Sequence, residues 1–171
     1  MDQLIEKMNT LLASSFAFYL KIHRFHWNIE GQDFHQYHEF FGDLYAEIWG
    51  SVDSTAEEIR ALGSKAKGSL AEFKESSAIH DQLTDLDIQQ MNHMLYRDNE
   101  TIIALLNDVH AEAEKQRQYG LLNYIEGRLD THKKHSWMLR SSFSSLDTST
   151  NESVVESAQE DIKTYEITFN K

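Results

Sequence analysis

Two histidines and two carboxylates between positions 26 and 57 have the residue types that could bind a transition metal. His26 and His38 lie twelve residues apart, and Asp53 and Glu57 lie four apart. Imidazole nitrogens and carboxylate oxygens are accepted as ligands by iron, zinc and manganese. Two carboxylates one helical turn apart can also reach one cation. Carboxylate pairs with this spacing are also common on solvated helix faces. The residue types alone therefore do not distinguish a metal site from an ordinary exposed pair.

The spacing of these residues argues against a site within one chain. If 33 to about 62 is one helix, His38 and Asp53 are separated by roughly 22 Å along its axis, which one ion cannot bridge. They are only about 60° apart around the axis and therefore share a broad face. A second copy of the helix, packed antiparallel about a two-fold axis, would bring the histidine end of one chain to the carboxylate end of the other. We therefore expect a metal site shared between two subunits.

The remaining histidines carry weaker signals. None of the nine histidines follows a glutamate by three residues, so the Glu-x-x-His motif of intrasubunit di-iron bundles is excluded. His23 and His35 each precede a candidate ligand by three residues and are interpreted as outer-shell or surface groups. His132 and His135 flank two lysines in T-H-K-K-H, which favours a solvated helix face.

Composition limits the possible classes of protein. The chain has 171 residues, no cysteine, no proline, seven glycines and a net charge of −12. Disulfides and thiolate metal sites are excluded, and little interrupts long helices. An acidic chain without a basic cluster repels nucleic acid and anionic membranes. Neither a signal peptide nor an apolar run of membrane-spanning length is visible, so we expect one cytoplasmic domain.

Apolar periodicity predicts an all-α protein with four long amphipathic helices. The connection between the second and third helices is long and carries a short helix, from Ser69 to Ser76. Such a crossover spans a bundle from end to end, as in the ferritin-like topology. The long helices are expected at about 2–29, 33–62, from 84 onward, and 119–143.

Local signals predict where helices begin and end. Gly31 is expected to supply a left-handed C-cap for the first helix, and Asp33 to cap the second. Thr84 with Asp87 matches a capping pattern at the start of the third helix. Residues 1–146 are expected to form the bundle, and 147–171 a polar, acidic surface tail.

Three separated blocks resemble the Dps family of miniferritins. They are F-H-W-N-I-E-G-Q-D-F-H-Q-Y-H, then D-S-T-A-E-E-I-R-A-L-G from Asp53, and R-L-D-T-H-K-K-H-S-W-M-L-R-S-S at 128–142. They occur in the family's order and spacing, within a match covering roughly 5 to 145. The resemblance implies a ferritin-like four-helix subunit and a hollow homododecamer with tetrahedral symmetry. It further implies Fe(II) oxidation, generally with hydrogen peroxide, and storage of ferric iron.

The same resemblance assigns site residues. His26 and His38 match the family's metal-binding histidines, and Asp53 and Glu57 match the carboxylates that the partner subunit contributes. Trp27 matches a tryptophan beside the centre, where it could trap radicals or donate an electron, although packing at the helix end is an equal interpretation.

One position departs from the family pattern. Gly42 stands where a carboxylate usually follows the second histidine by one turn, and Asp43 is rotated from that position by about 100°. We therefore expect one tightly bound iron per centre and a weak second position. The alternative function is an iron-sequestering cage whose ferroxidase centre is impaired. An unrelated helical interaction bundle is a remote third interpretation.

The resemblance also bears on entry pores and on DNA. Glu126 and Asp130 are candidate acidic pore residues, and an ordinary exposed acid pair is an equal interpretation. DNA binding in the family commonly depends on a lysine-rich terminal tail. This chain has none, so we expect no direct DNA binding.

Overall fold

The computed structural model describes residues 1–81 and 85–142, and all regular secondary structure in these residues is helical. Four long helices and one short helix are present, which confirms the predicted all-α class and the short crossover helix. Their bounds are α1 Asp2–Asn28, α2 Phe34–Ala61, α3 Leu70–Ser76, α4 Ile88–Lys115 and α5 Tyr119–Ser141.

Side-chain contacts between the long helices define the bundle topology. α1 runs antiparallel to both α2 and α4, because residues early in α1 lie beside residues late in its neighbours. Lys7 pairs with Asp108, whereas Lys21 pairs with Asp98. α5 runs antiparallel to α2 and α4 in the same way. The parallel helices α2 and α4 therefore lie on a diagonal, and only a long crossover can connect them.

The core is formed by one apolar stripe from each long helix. Phe18 and Phe41 are fully buried, and truncating a buried phenylalanine to alanine typically costs about 3–5 kcal/mol. Other fully buried side chains come from all four helices and include Leu12, Ile48, Leu95, Ile102 and Ile125. Among the described residues, no helix has the combination of length and apolar character that a bilayer-spanning segment requires.

Two buried polar side chains of α1 fix the crossover. Asn9 Oδ1 accepts a hydrogen bond from the Lys67 backbone amide at 3.0 Å, and Ser14 Oγ accepts one from the Ala78 amide at 2.9 Å. Ser69 and Glu72 form a reciprocal capping box at the start of α3. The crossover is therefore attached to α1 at two points. These hydrogen bonds also satisfy the side-chain oxygens of Asn9 and Ser14, whose burial without a partner would be unfavourable.

The helix ends differ in part from the predictions. α1 ends at Asn28 with an extended Ile29, so Gly31, at φ +111°, serves the turn rather than the C-cap itself. Asp33 is the N-cap residue of α2, but its side chain makes no capping hydrogen bond. The prediction that the third long helix begins at Thr84 is outside the described residues. The described helix begins at Ile88, where Asp87 is the N-cap and Gln90 completes a capping box. The predicted tail at 147–171 also lies outside the described residues.

Candidate metal centre

His26 and His38 meet where α1 and α2 approach their connecting turn. His26 lies in the last turn of α1 and His38 in the second turn of α2. Their rings stack with centroids 3.7 Å apart and planes inclined by 21°. Gly31 allows the sharp reversal between the helices, because its positive φ suits glycine. A sequence separation of twelve residues is thus converted into direct contact.

Reciprocal hydrogen bonds fix which nitrogen of each neutral imidazole carries the proton. His26 Nδ1 lies 2.7 Å from the His38 carbonyl oxygen, and His38 Nδ1 lies 3.0 Å from the His26 carbonyl oxygen. A carbonyl oxygen can only accept, so Nδ1 of each ring must carry the proton. In the neutral rings both Nε2 atoms then have a free lone pair. This is the usual arrangement of a metal-binding histidine, in which the second nitrogen is held by a hydrogen bond.

The surroundings of His26 favour its neutral form. Partial burial lowers the pKa of His26, the hydrogen bond to the His38 carbonyl opposes this change, and the neighbouring His38 and His23 imidazoles reinforce it. A neutral imidazole is the form that binds metal, so less proton competition is expected at this nitrogen.

Gly42 faces the histidine pair. A Cβ atom built at position 42 would lie 3.4 Å from Cε1 and 3.7 Å from Nδ1 of His26. Those distances are ordinary van der Waals contacts. A side chain at this position would therefore begin beside the His26 ring.

Asp53 and Glu57 are exposed on α2 of the single chain. Within residues 1–81 and 85–142, no group of three or more histidine, aspartate or glutamate side chains is positioned to hold a metal ion. The fold thus brings the two histidines together and leaves the two carboxylates elsewhere on the surface.

Trp27 lies next to the histidine pair but points largely to solvent. Its side chain is 60% exposed, and its ring centroid is 4.3 Å from that of His23. His23 in turn stacks on Tyr45 at 4.1 Å. His23 is therefore part of an aromatic cluster beside the candidate ligands, a position consistent with the outer-shell interpretation of this residue.

The predicted solvated face at His132 and His135 is wrong. The two residues are only 2% and 5% exposed, whereas Lys133 and Lys134 point outward. His132 Nδ1 donates to Asn99 Oδ1 at 2.7 Å, and its Nε2 accepts from Arg128 at 3.1 Å. Burial is the main reason why the pKa of His132 is held well below its ordinary value, with Arg128 acting in the same direction.

A salt bridge occupies the bundle interior beside these histidines. Both guanidinium nitrogens of Arg128 donate to Glu47 of α2, and His135 Nε2 lies 3.8 Å from the same carboxylate. This network is not among the features predicted from the sequence. Its signal was the i, i+4 spacing of Arg128, His132 and Ser136 on one face. The cationic guanidinium disfavours a metal ion at the Glu47 carboxylate.

The two candidate pore residues lie one turn apart on α5. Glu126 Oε1 is 3.3 Å from Nε2 of His110 on α4, and Asp130 is exposed. Both side chains reach the surface of the single chain, as either interpretation of this pair requires.

Comparisons with known proteins agree with the fold. Residues 5–148 match the Ferritin-like domain family. The chain is 31% identical over 135 residues to the DNA protection during starvation protein of Brevibacillus brevis, covering 77% of this chain and 89% of that protein. It is 32% identical over 143 residues to General stress protein 20U of Bacillus subtilis, covering 81% and 96%. The crystal structure of Dps from Staphylococcus aureus matches with a TM-score of 0.81 at 28% identity, covering 84% and 97%.

The bundle with its long crossover and the matched residues define a ferritin-like protein. Within that class, the chain belongs to the Dps family of miniferritins, which are iron-storage and stress proteins. The resemblance carried by the three sequence blocks is thereby confirmed.

Proposed function

We propose that this chain oxidises Fe(II) and stores the ferric product in a hollow cage, with ferroxidase centres shared between two subunits. His26 and His38 of one subunit and Asp53 and Glu57 of its neighbour form each centre. The observation that carries the proposal is the histidine pair, in which each Nδ1 donates to a backbone carbonyl and each Nε2 is left free, while no carboxylate among the described residues completes a metal-binding group with them. Iron is the substrate and cargo of this reaction.

The ligand set suits both oxidation states of iron. Carboxylates and imidazoles bind Fe(II) and tolerate Fe(III), so the product ion can leave toward the mineral without having to break thiolate bonds. Asp53, Glu57 and the neighbouring subunit's His26 hold the tighter iron. The position near His38 lacks a carboxylate because residue 42 is glycine, so it binds iron weakly or with water completing its coordination.

Exposed apolar residues of α1 and α2 support a two-fold partner that packs against these two helices. Trp27 is 60% exposed, Trp49 53% and Leu20 42%, although all three side chains are large and apolar. Burying them against a second copy stabilises the dimer by the hydrophobic effect. The full assembly is a homododecamer, as the family resemblance implies.

Hydrogen peroxide is the proposed oxidant, with dioxygen as the slower substitute. Consuming Fe(II) and peroxide at one centre removes both reactants of the Fenton reaction and so protects the cell. Glu126 and Asp130 attract cations to the cage entrance, and Trp27 intercepts radicals that leave the centre. The protein acts in the cytoplasm. It does not bind DNA, because a net charge of −12 repels the phosphate backbone.

Subunit mixing tests the shared centre. One chain carries His26→Ala and His38→Ala, and the other carries Asp53→Ala and Glu57→Ala; each is inactive alone. When the two are refolded together, a mixed dimer contains one centre with all four ligands and one with none. Ferric absorbance after anaerobic Fe(II) loading and peroxide addition should therefore be regained in the mixture. If the mixed cage stays as inactive as either parent, the centre is not shared.

A second candidate function rests on Gly42. Without the carboxylate expected there, the cage could sequester iron while oxidising it no faster than free solution. Anaerobic Fe(II) loading followed by peroxide distinguishes the two functions. Fast oxidation that disappears in His26→Ala and in Glu57→Ala supports the ferroxidase, whereas oxidation equal to the buffer control supports sequestration.

A further inference from the structure

A continuous stripe of aromatic rings runs from α3 along the α1–α2 face to the candidate centre. Successive ring centroids are separated by about 4 to 6 Å. The contacts are Phe73 to Phe16 at 4.9 Å, Phe16 to Tyr19 at 5.9 Å, Tyr19 to His23 at 5.6 Å, His23 to Tyr45 at 4.1 Å, and Tyr45 to His26 at 5.2 Å. Trp49 joins the stripe at Tyr19, at 4.9 Å. The stripe therefore connects oxidisable side chains with an imidazole that is a candidate iron ligand.

Tyr19 has a proton acceptor built beside its hydroxyl group. Its Oη lies 3.2 Å from Nδ1 of His23, one helical turn away on α1. When His23 carries its proton on Nε2, the phenol donates to Nδ1. A phenol loses an electron far more readily when its proton can move to a base at hydrogen-bond distance, and 3.2 Å is within that reach. The pair thus has the geometry for coupled loss of one electron and one proton.

We propose that Tyr19 supplies an electron to the iron centre, through the rings of His23 and Tyr45, when peroxide reacts with a single bound Fe(II). The proposal rests on the proposed ferroxidase function. Peroxide takes up two electrons when it is reduced to water and hydroxide, and one Fe(II) gives only one. At a centre that binds one iron tightly, the missing electron must come from the protein, since otherwise a hydroxyl radical escapes.

The step balances in atoms and charge. Fe(II), hydrogen peroxide and the Tyr19 phenol give Fe(III), one hydroxide, one water and a neutral Tyr19 phenoxyl radical. The O–O bond breaks; iron and the phenol are each oxidised by one electron, and peroxide is reduced by two. The phenol proton moves to His23 Nδ1 and then reaches the oxygen products. A later Fe(II) returns the phenoxyl radical to phenol by giving one electron, while one proton is taken up from water through His23.

Tyr19 differs from Trp27 in two respects that matter for this role. Tyr19 is partly buried between α1 and α2, whereas Trp27 is 60% exposed in the single chain. Tyr19 also has an identified acceptor for its proton. A phenoxyl radical on Tyr19 is kept from solvent by the stripe. It therefore damages the protein less than a free hydroxyl radical does.

Rapid freeze-quench electron paramagnetic resonance tests the proposal on the intact cage. One Fe(II) per centre is loaded anaerobically and peroxide is added, and ferric iron is measured in the same samples. The wild-type protein should show a tyrosyl radical, identified because ring-deuterated tyrosine changes its hyperfine splitting. Tyr19→Phe keeps the ring contacts and should lose this signal. In the same variant, an added spin trap should form more hydroxyl radical adduct. Tyr119→Phe, an exposed tyrosine of α5 outside the stripe, should leave both readings unchanged.

The outcomes separate the two proposals. Ferric iron without a tyrosyl radical in the wild type, or a radical that survives unchanged in Tyr19→Phe, overturns the role of Tyr19 and leaves the ferroxidase standing. Absence of accelerated ferric formation in the wild type overturns both. His23→Phe preserves the stacked ring and removes the proton acceptor, so it should diminish the radical while ferric iron still forms faster than in the buffer control.

Discussion

Replacing Gly42 with glutamate should convert a centre with one tight iron into a centre with two. The Cβ atom of the new side chain would lie 3.4 Å from Cε1 of His26, and residue 42 lies one turn after His38. Loss of a group that only supports a ligand typically lowers metal affinity about 10–100-fold. A carboxylate in direct contact should contribute at least as much, so the second iron should bind at least tenfold more tightly, which corresponds to about 1.4 kcal/mol.

Gly42→Ala is the matched control for this substitution. It adds the Cβ atom without a ligand, and replacing a helix-interior glycine with alanine stabilises a helix by about 1 kcal/mol. Because the added atom makes only ordinary contacts with His26, little of that gain should be lost. Denaturant unfolding of the iron-free protein should show this increase, while the number of tight irons stays at one.

Anaerobic calorimetric titration with Fe(II) gives the deciding measurement. The wild type and Gly42→Ala should each bind one tight iron per centre, and Gly42→Glu should bind two. Two equally tight irons in the wild type would refute the argument, because position 42 would then not limit the site. A single tight iron in Gly42→Glu, in a cage of normal size, would also refute the argument, because a carboxylate at position 42 would then not create a second tight site.

Further predictions concern the centre, the bundle interior and nucleic acid. Glu57→Gln should abolish tight Fe(II) binding while circular dichroism and unfolding change little, since Glu57 is exposed in the single chain and surface substitutions usually cost within about 0.5 kcal/mol. Arg128→Ala should lower the free energy of unfolding in urea by about 1–3 kcal/mol, less than the roughly 3–5 kcal/mol for a fully buried pair, because the Glu47 side chain keeps solvent contact. Burial lowers the pKa of His135 from 6.5 to about 4, so protons favour the unfolded chain and the urea midpoint should fall as pH drops through that window; His135→Gln should flatten the dependence. A gel shift at low salt without divalent ions should show no DNA complex, because the net charge is −12.

The architecture could be predicted because the helical signals are long and mutually consistent. Apolar periodicity repeats over many turns without proline, and the connection between Leu62 and Asp87 is too long for a hairpin. The residues at which helices begin and end were harder to predict from the sequence. The start of α4 depends on which of several polar residues forms the reciprocal hydrogen bonds, and Asp87 with Gln90 does so. Such choices depend on local backbone geometry that spacing does not encode.

The error at His132 and His135 has a specific cause. The adjacent lysines suggested solvent exposure, but consecutive residues on a helix face different directions. Leu129, His132, Ser136 and Leu139 follow the i, i+3, i+4 pattern of a buried stripe, and all four are buried. Composition over a short window was misleading, whereas periodicity would have identified the buried face. The polar atoms of His132 are tolerated because Asn99 and Arg128 satisfy them, whereas Nδ1 of His135 is buried without a hydrogen-bond partner among the described residues.

The division of the candidate ligands couples iron chemistry to assembly. Each chain holds its two imidazoles in one tautomer through its own backbone carbonyls, so that half of the centre is organised before any partner arrives. Asp53 and Glu57 remain solvated on the single chain, where a carboxylate pair alone binds Fe(II) weakly. Under the proposed function, a two-fold partner brings the two halves together, and it does so at two centres at once. Under the proposed function, a free subunit therefore has little ability to oxidise iron outside a cage, where the ferric product could not be contained.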